Sequence, residues 1–116
     1  MAAREFELEI KNLDVTLAAI EQVLNLPKLM KDAVELEAEA SAPDLWDDPE
    51  KAQVVTSRLS RVQVVITRVS TIRRRLDDVP ILIELAREEG DEKALLDAGH
   101  ELDDVTKSIR DLEVQT

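Results

Sequence analysis

Apolar residues along this chain recur in steps of three and four. Phe6, Ile10, Leu13, Leu17, Ile20 and Leu24 fall on one stripe, which predicts a helix over roughly 5–25. Its start is open, because Phe6, Leu8 and Ile10 also alternate as in a strand. Pro27 stands where a first helical residue belongs and opens a second helix, with Leu29, Ala33, Leu36 and Ala40 on one face and Ser41-Ala42-Pro43 closing it. Asp44-Leu45-Trp46-Asp47-Asp48-Pro49-Glu50 then reads as a turn feeding a helix start. Asp48 can cap the free amides, and Pro49 fits the first position.

From Pro49 to Leu76 there is no Gly or further Pro, and the stretch is rich in Val, Thr and Ile. A strand of that size would far exceed the usual length of about 3–10 residues. The period also speaks against it, since Ala52, Val55, Leu59, Val62, Ile66, Val69 and Leu76 share one helical face. A single helix of about 40 Å, at about 1.5 Å per residue, is predicted here. Asp77, Asp78 and Pro80 predict a restart as a short helix ending at Gly90, a usual residue just past a helix C-terminus. Asp91 caps a last long helix with Leu95, Ala98, Leu102, Val105, Ile109 and Leu112 as its apolar seam. The predicted architecture is all-α: an antiparallel, coiled-coil-like helical bundle of two or three long helices plus short ones, with residues 1–116 as a single domain.

Charge adds to this picture. Residues 1–50 carry 13 acids and 4 bases, residues 51–76 carry 7 bases and no acid, and residues 77–116 carry 13 acids and 4 bases. A basic helix between acidic neighbours is what interhelical charge matching would look like. Each exposed pair contributes only about 0–1 kcal/mol, so the device sets register more than stability. The net charge of −11 opposes nucleic-acid binding through the overall field.

Candidate chemistry is sparse. Without cysteine there is no disulfide framework and no thiolate metal site. No apolar run approaches the about 18 residues of a membrane span. Residues 1–10 hold Arg4, Glu5, Glu7 and Glu9, unlike the basic-then-apolar order of a signal peptide. A cytoplasmic chain with no membrane partner is expected. Helical di-metal sites need two Glu-x-x-His pairs, whereas this chain has one histidine, His100, three residues after Asp97. His100 is therefore expected on the solvated surface. No G-x-S-x-G elbow and no clustered glycines are present. We expect no catalytic residue, metal or cofactor, and no enzyme.

Three features remain. Arg58, Arg61, Arg68 and Arg75 border the apolar face of the central helix. They either pair with acids of neighbouring helices or stay exposed for the phosphates of an RNA partner. Gly99, inside the last helix, marks either a close helix contact or a bend. Trp46 is expected to fold back as an apolar plug at one end of the bundle, its indole N–H reaching a partner.

The segment Pro43-Asp44-Leu45-Trp46-Asp47-Asp48-Pro49-Glu50-Lys51-Ala52-Gln53 resembles a Pro-Asp-(Leu/Val)-Trp-x-x-Pro-Glu-(Arg/Lys)-Ala-Gln stretch of the bacterial peptide chain release factors of type 2, which are class I release factors. Leu85-Ala86, Glu101-Leu102-Asp103 and Leu112-Glu113 resemble the helix leading into that family's second domain. The similarity runs from about Leu29 to the end, and the sister type 1 factors differ at the Trp-containing segment. The resemblance implies a complete protein that reads the stop codons UGA and UAA on the ribosome and triggers hydrolysis of peptidyl-tRNA. In the family, Ser-Pro-Phe reads the codon and Gly-Gly-Gln, with a methylated Gln, promotes hydrolysis. This chain contains neither, so both motifs are expected beyond Thr116 and no such residue carries over. The resemblance implies a helical first domain directed at the stalk base of the large subunit, with its protein and rRNA as partners and the class II release factor GTPase as a further one. DNA is not an expected partner. The rival reading is a free-standing coiled-coil adaptor that dimerises through its seams, whereas the excised domain is expected to be monomeric.

Overall fold

The computed structural model describes residues 4–115. Among these residues there are four α-helices and no strand: α1 (Phe6–Leu24), α2 (Leu26–Ala40), α3 (Pro49–Glu89) and α4 (Glu92–Gln115), with a 3-10 turn at Leu45–Asp47 before α3. The all-α prediction holds, and the strand-like alternation at Phe6, Leu8 and Ile10 lies within α1.

The boundaries follow local chemistry. Asn25 takes a left-handed conformation (φ 53°) between α1 and α2, one of the few L-residues that tolerates it. Pro27 then occupies the first turn of α2, where its missing N–H is not needed. Asp48 accepts the Lys51 amide on Oδ1 at 3.2 Å and caps α3. At the other end Gly90, with φ 62°, donates to the Arg87 carbonyl, and Asp91 donates to the Ala86 carbonyl at 2.9 Å. This paired closure suits a glycine, because an L side chain strains the left-handed backbone. Asp91 then caps α4 by accepting the Ala94 amide at 2.9 Å.

One prediction requires correction. Asp77, Asp78 and Pro80 do not start a new helix; α3 runs unbroken from Pro49 to Glu89 with Pro80 inside it. A proline within a helix removes the bond to the carbonyl four residues earlier and costs about 3 kcal/mol. Here Leu76, Val79, Ile83 and Ala86 are all buried, and each large aliphatic side chain gains about 1.5–3 kcal/mol from burial. Continuing the helix keeps these four on one face, whereas a break would rotate the last two out of the core. Packing outweighs the local penalty.

The chain forms two compact units, residues 4–23 with 70–115, and residues 24–69. In the first, α1 and the later part of α3 run antiparallel, with Glu7 opposite Arg87 and Glu21 opposite Arg73. Part of α3 and α4 form the other antiparallel pair, with Arg75 opposite Glu101. Phe6, Leu17 and Ile20 of α1, Ile72, Leu76, Val79, Ile83 and Ala86 of α3, and Ala98, Leu102, Val105, Ile109 and Leu112 of α4 fill the core. The α4 seam from Ala98 to Leu112 is thus consumed within the chain, whereas Ile10, Leu13 and Leu24 of the first stripe and Leu59, Val62 and Ile66 of the central one are only partly buried. In the second unit Leu45, Ala52 and Val55 form a small buried cluster, against which Leu36, Ala40 and Ala42 pack half-exposed. No residue of α2 is fully buried.

Candidate functional site

Arginine placement separates charges used for folding from charges left for other work. Arg73 of α3 binds Glu21 of α1 at 2.6 Å, reaches Asp14, and lies 3.5 Å from Asp77 one turn on. Hydrogen bonding to Glu21 first, and then to Asp14, holds the guanidinium well above its usual pKa against an opposing desolvation. Arg75 donates from Nε and Nη2 to Glu101 Oε1 at 2.8 and 2.5 Å. Arg87 donates to Glu7 at 2.5 Å, and this hydrogen bond is the main cause that lowers the Glu7 carboxyl below its usual range.

Arg4 closes the same unit. Its guanidinium donates to both carboxylate oxygens of Glu9, at 2.7 and 2.9 Å, to Asp103 at 2.5 Å and to the Gly99 carbonyl at 3.3 Å. It also lies 5.0 Å from the centre of the Phe6 ring. The Glu9 hydrogen bond above all raises its pKa. A Cβ at Gly99 would stand 3.2 Å from the Arg4 guanidinium and 3.5 Å from the Phe6 ring. Of the two meanings open for Gly99, the close contact applies: α4 admits Phe6 and Arg4 because this residue has no side chain.

The stripe divides on this background. Arg75 is paired, and Arg68 is half-buried and not without a partner. Arg58 and Arg61 are exposed, and among the described residues neither has an ion pair. These two line one wall of a groove in the second unit, of about 450 Å³, with Val62. Asp32, Glu35, Leu36 and Glu39 of α2 line the other wall. The structure therefore brings Arg58 and Arg61 together and leaves Arg75 to internal pairing. Helical periodicity alone puts all four on one border; it does not say which acids lie opposite.

Trp46 departs from the expected plug. Its side chain is 63 % exposed, and the preceding Leu45 fills the buried cluster instead. In a 3-10 turn adjacent side chains point apart, so only one of the two can face Ala52 and Val55. The shorter leucine fits that small cluster. His100 is exposed, as expected. Among the described residues no group of His, Cys, Asp and Glu is arranged to hold a metal ion, and no helix is long and apolar enough to cross a membrane.

The fold and this surface define an all-helical protein with one ion-paired three-helix unit and one unit with a smaller core, whose groove is lined by Arg58 and Arg61. Residues 29–116 match the model of the PCRF domain, and the chain belongs to that family. It is similar to proteins named peptide chain release factor 2. It is 52 % identical over 107 residues to that of Acidothermus cellulolyticus, covering 92 % of this chain and 29 % of the relative. It is 46 % identical over 116 residues to that of Salinispora arenicola, covering 100 % of this chain and 31 % of the relative. It is 49 % identical over 113 residues to that of Corynebacterium glutamicum, covering 97 % and 30 %. The chain thus spans about three tenths of the length of the curated relatives it matches.

Proposed function

We propose that this chain acts in translation termination, as a non-catalytic docking and positioning domain of a cytoplasmic factor that directs peptide release at UGA and UAA on the ribosome. Its family membership supports the termination role. The observation that carries the docking role is the exposed pair Arg58 and Arg61, left without ion pairs while Arg73, Arg75 and Arg87 are engaged. In this reading the pair contacts phosphates at the large-subunit stalk base, beside the stalk-base protein, and the class II release factor GTPase is a further partner.

Asp32, Glu35 and Glu39 across the groove offset part of the arginines' field. Two phosphate contacts on a chain of net charge −11 should also give weak, salt-sensitive binding. The chain should be monomeric, because the α4 seam and the later part of the α3 face, through which an adaptor would dimerise, are buried in its own core. Binding of a stalk-base rRNA and protein complex, followed by fluorescence anisotropy of the labelled chain, tests this. Arg58→Glu with Arg61→Glu should weaken binding at least tenfold and flatten its salt dependence. Unchanged affinity in that double variant removes the pair as the contact.

A further inference from the structure

Trp46 is held outside the protein on an ordered support. The turn beneath it is fixed by backbone bonds from Leu45 to Ala42, Asp47 to Asp44 and Asp48 to Leu45, at 3.1–3.2 Å. Leu45 anchors it in the buried cluster, Asp48 caps α3, and Pro43 and Pro49 restrict the backbone on either side. The indole is therefore presented on a backbone with little freedom left to lose, which lowers the ordering cost of binding. Tryptophan, with tyrosine and arginine, is enriched among the few side chains that carry most of the energy of a protein interface.

The surroundings specify the partner. From Pro43 to Ser57 the chain carries Asp44, Asp47, Asp48 and Glu50 against one base, Lys51. All four carboxylates are exposed, and among the described residues none is in an ion pair. Phosphates would be repelled here, whereas lysines and arginines around an apolar slot would meet complementary charge. We propose that Trp46 and its turn are a docking point for a basic protein surface, with the indole as the anchor and Asp44, Asp47 and Glu50 as the rim. This goes beyond the arginine contact and takes from that reading only the ribosome as the place to look.

Trp46 is the chain's one tryptophan, so its emission reports the site directly. The probes are RNA-free protein of the large ribosomal subunit and, separately, the rRNA stripped of protein. The protein fraction should move Trp46 emission to shorter wavelength, and the rRNA should not. Trp46→Ala, followed by anisotropy of the labelled chain, should bind the protein fraction at least tenfold more weakly. Its helical circular dichroism should be unchanged, since the side chain is exposed. Asp44→Asn with Asp47→Asn should weaken binding chiefly at low salt, and Asp48 stays because it caps α3. An unmoved emission, an equal shift with rRNA, or full affinity in Trp46→Ala overturns the proposal. The Arg58→Glu, Arg61→Glu variant separates the two ideas. It should keep the emission shift while losing the rRNA, so either can fail alone.

Discussion

The unit made of residues 4–23 and 70–115 and the unit made of residues 24–69 differ in how much of their apolar surface they bury and in how many arginines they tie down. The first buries Leu17, Leu76, Leu102, Val79 and Val105 almost completely and ties its three helices with Arg4, Arg73, Arg75 and Arg87. The second buries little beyond Leu45, Ala52, Val55 and Val69 and leaves Met30, Val34, Trp46, Val54 and Val64 more than half exposed, as the first leaves Leu8, Val15, Val23, Ile81, Leu96 and Val114; it also holds Arg58 and Arg61 without ion pairs. Apolar surface and charge left unused inside a unit remain available to a partner. The difference lies in the core: the first unit buries most of the apolar surface that stabilises the fold, and the second is left with a small cluster.

The largest effect that sharpens this contrast should come from Leu76→Ala or Leu102→Ala. Both side chains are buried in the larger core, and each truncation should cost about 2–5 kcal/mol. A lower urea midpoint would show it, and a loss below about 1 kcal/mol would mean the core is looser than its burial implies. Gly99→Leu comes next. Its side chain must displace Phe6 and the Arg4 guanidinium, which should cost about 1–3 kcal/mol by overpacking. Thermal unfolding would report it, together with loss of protection at the start of α1 in hydrogen exchange.

Ion pairs should weigh less. Arg73 and Glu21 are about three-quarters buried, so their coupling in a double-mutant cycle should be about 1 kcal/mol and fall with salt. Arg58→Ala and Arg61→Ala should each stay within about 0.5 kcal/mol of the unaltered chain. A comparable loss at Arg58 would break the distinction between folding charges and free ones. The smallest effect is pH-dependent. Glu7 has its folded pKa lowered by Arg87, so its contribution is present above the unfolded value of about 4.3 and disappears as pH falls through the folded value. Arg4 and Arg73 have raised values, and their contribution is fully present throughout the acid and neutral range. Loss of stability in acid therefore belongs to the carboxylates. An NMR titration should find the Glu7 pKa rising toward the ordinary range in Arg87→Ala, and an unmoved value would show that the pair does not form in solution.

The amino-acid sequence by itself determined the helical class and most of the boundaries, because period, capping and left-handed turns act over a few residues. Phe6, Leu17 and Ile20 of the first stripe and Ala98 to Leu112 of the last seam line the core as read, while Ile10, Leu13, Leu24 and Leu95 are only partly buried. Asp48, Gly90 and Asp91 close and open helices where their chemistry places them. The partners of each face were decided only in three dimensions. Pro80 stays within α3 because Val79, Ile83 and Ala86 have a distant core to enter. Leu45 rather than Trp46 turns inward because Ala52 and Val55 leave space for a small cluster alone. Arg75 is engaged because Glu101 comes within 2.5 Å of it, whereas Asp32, Glu35 and Glu39 share a groove with Arg58 without forming an ion pair. Such choices depend on groups far apart in the chain, and no local period encodes their meeting.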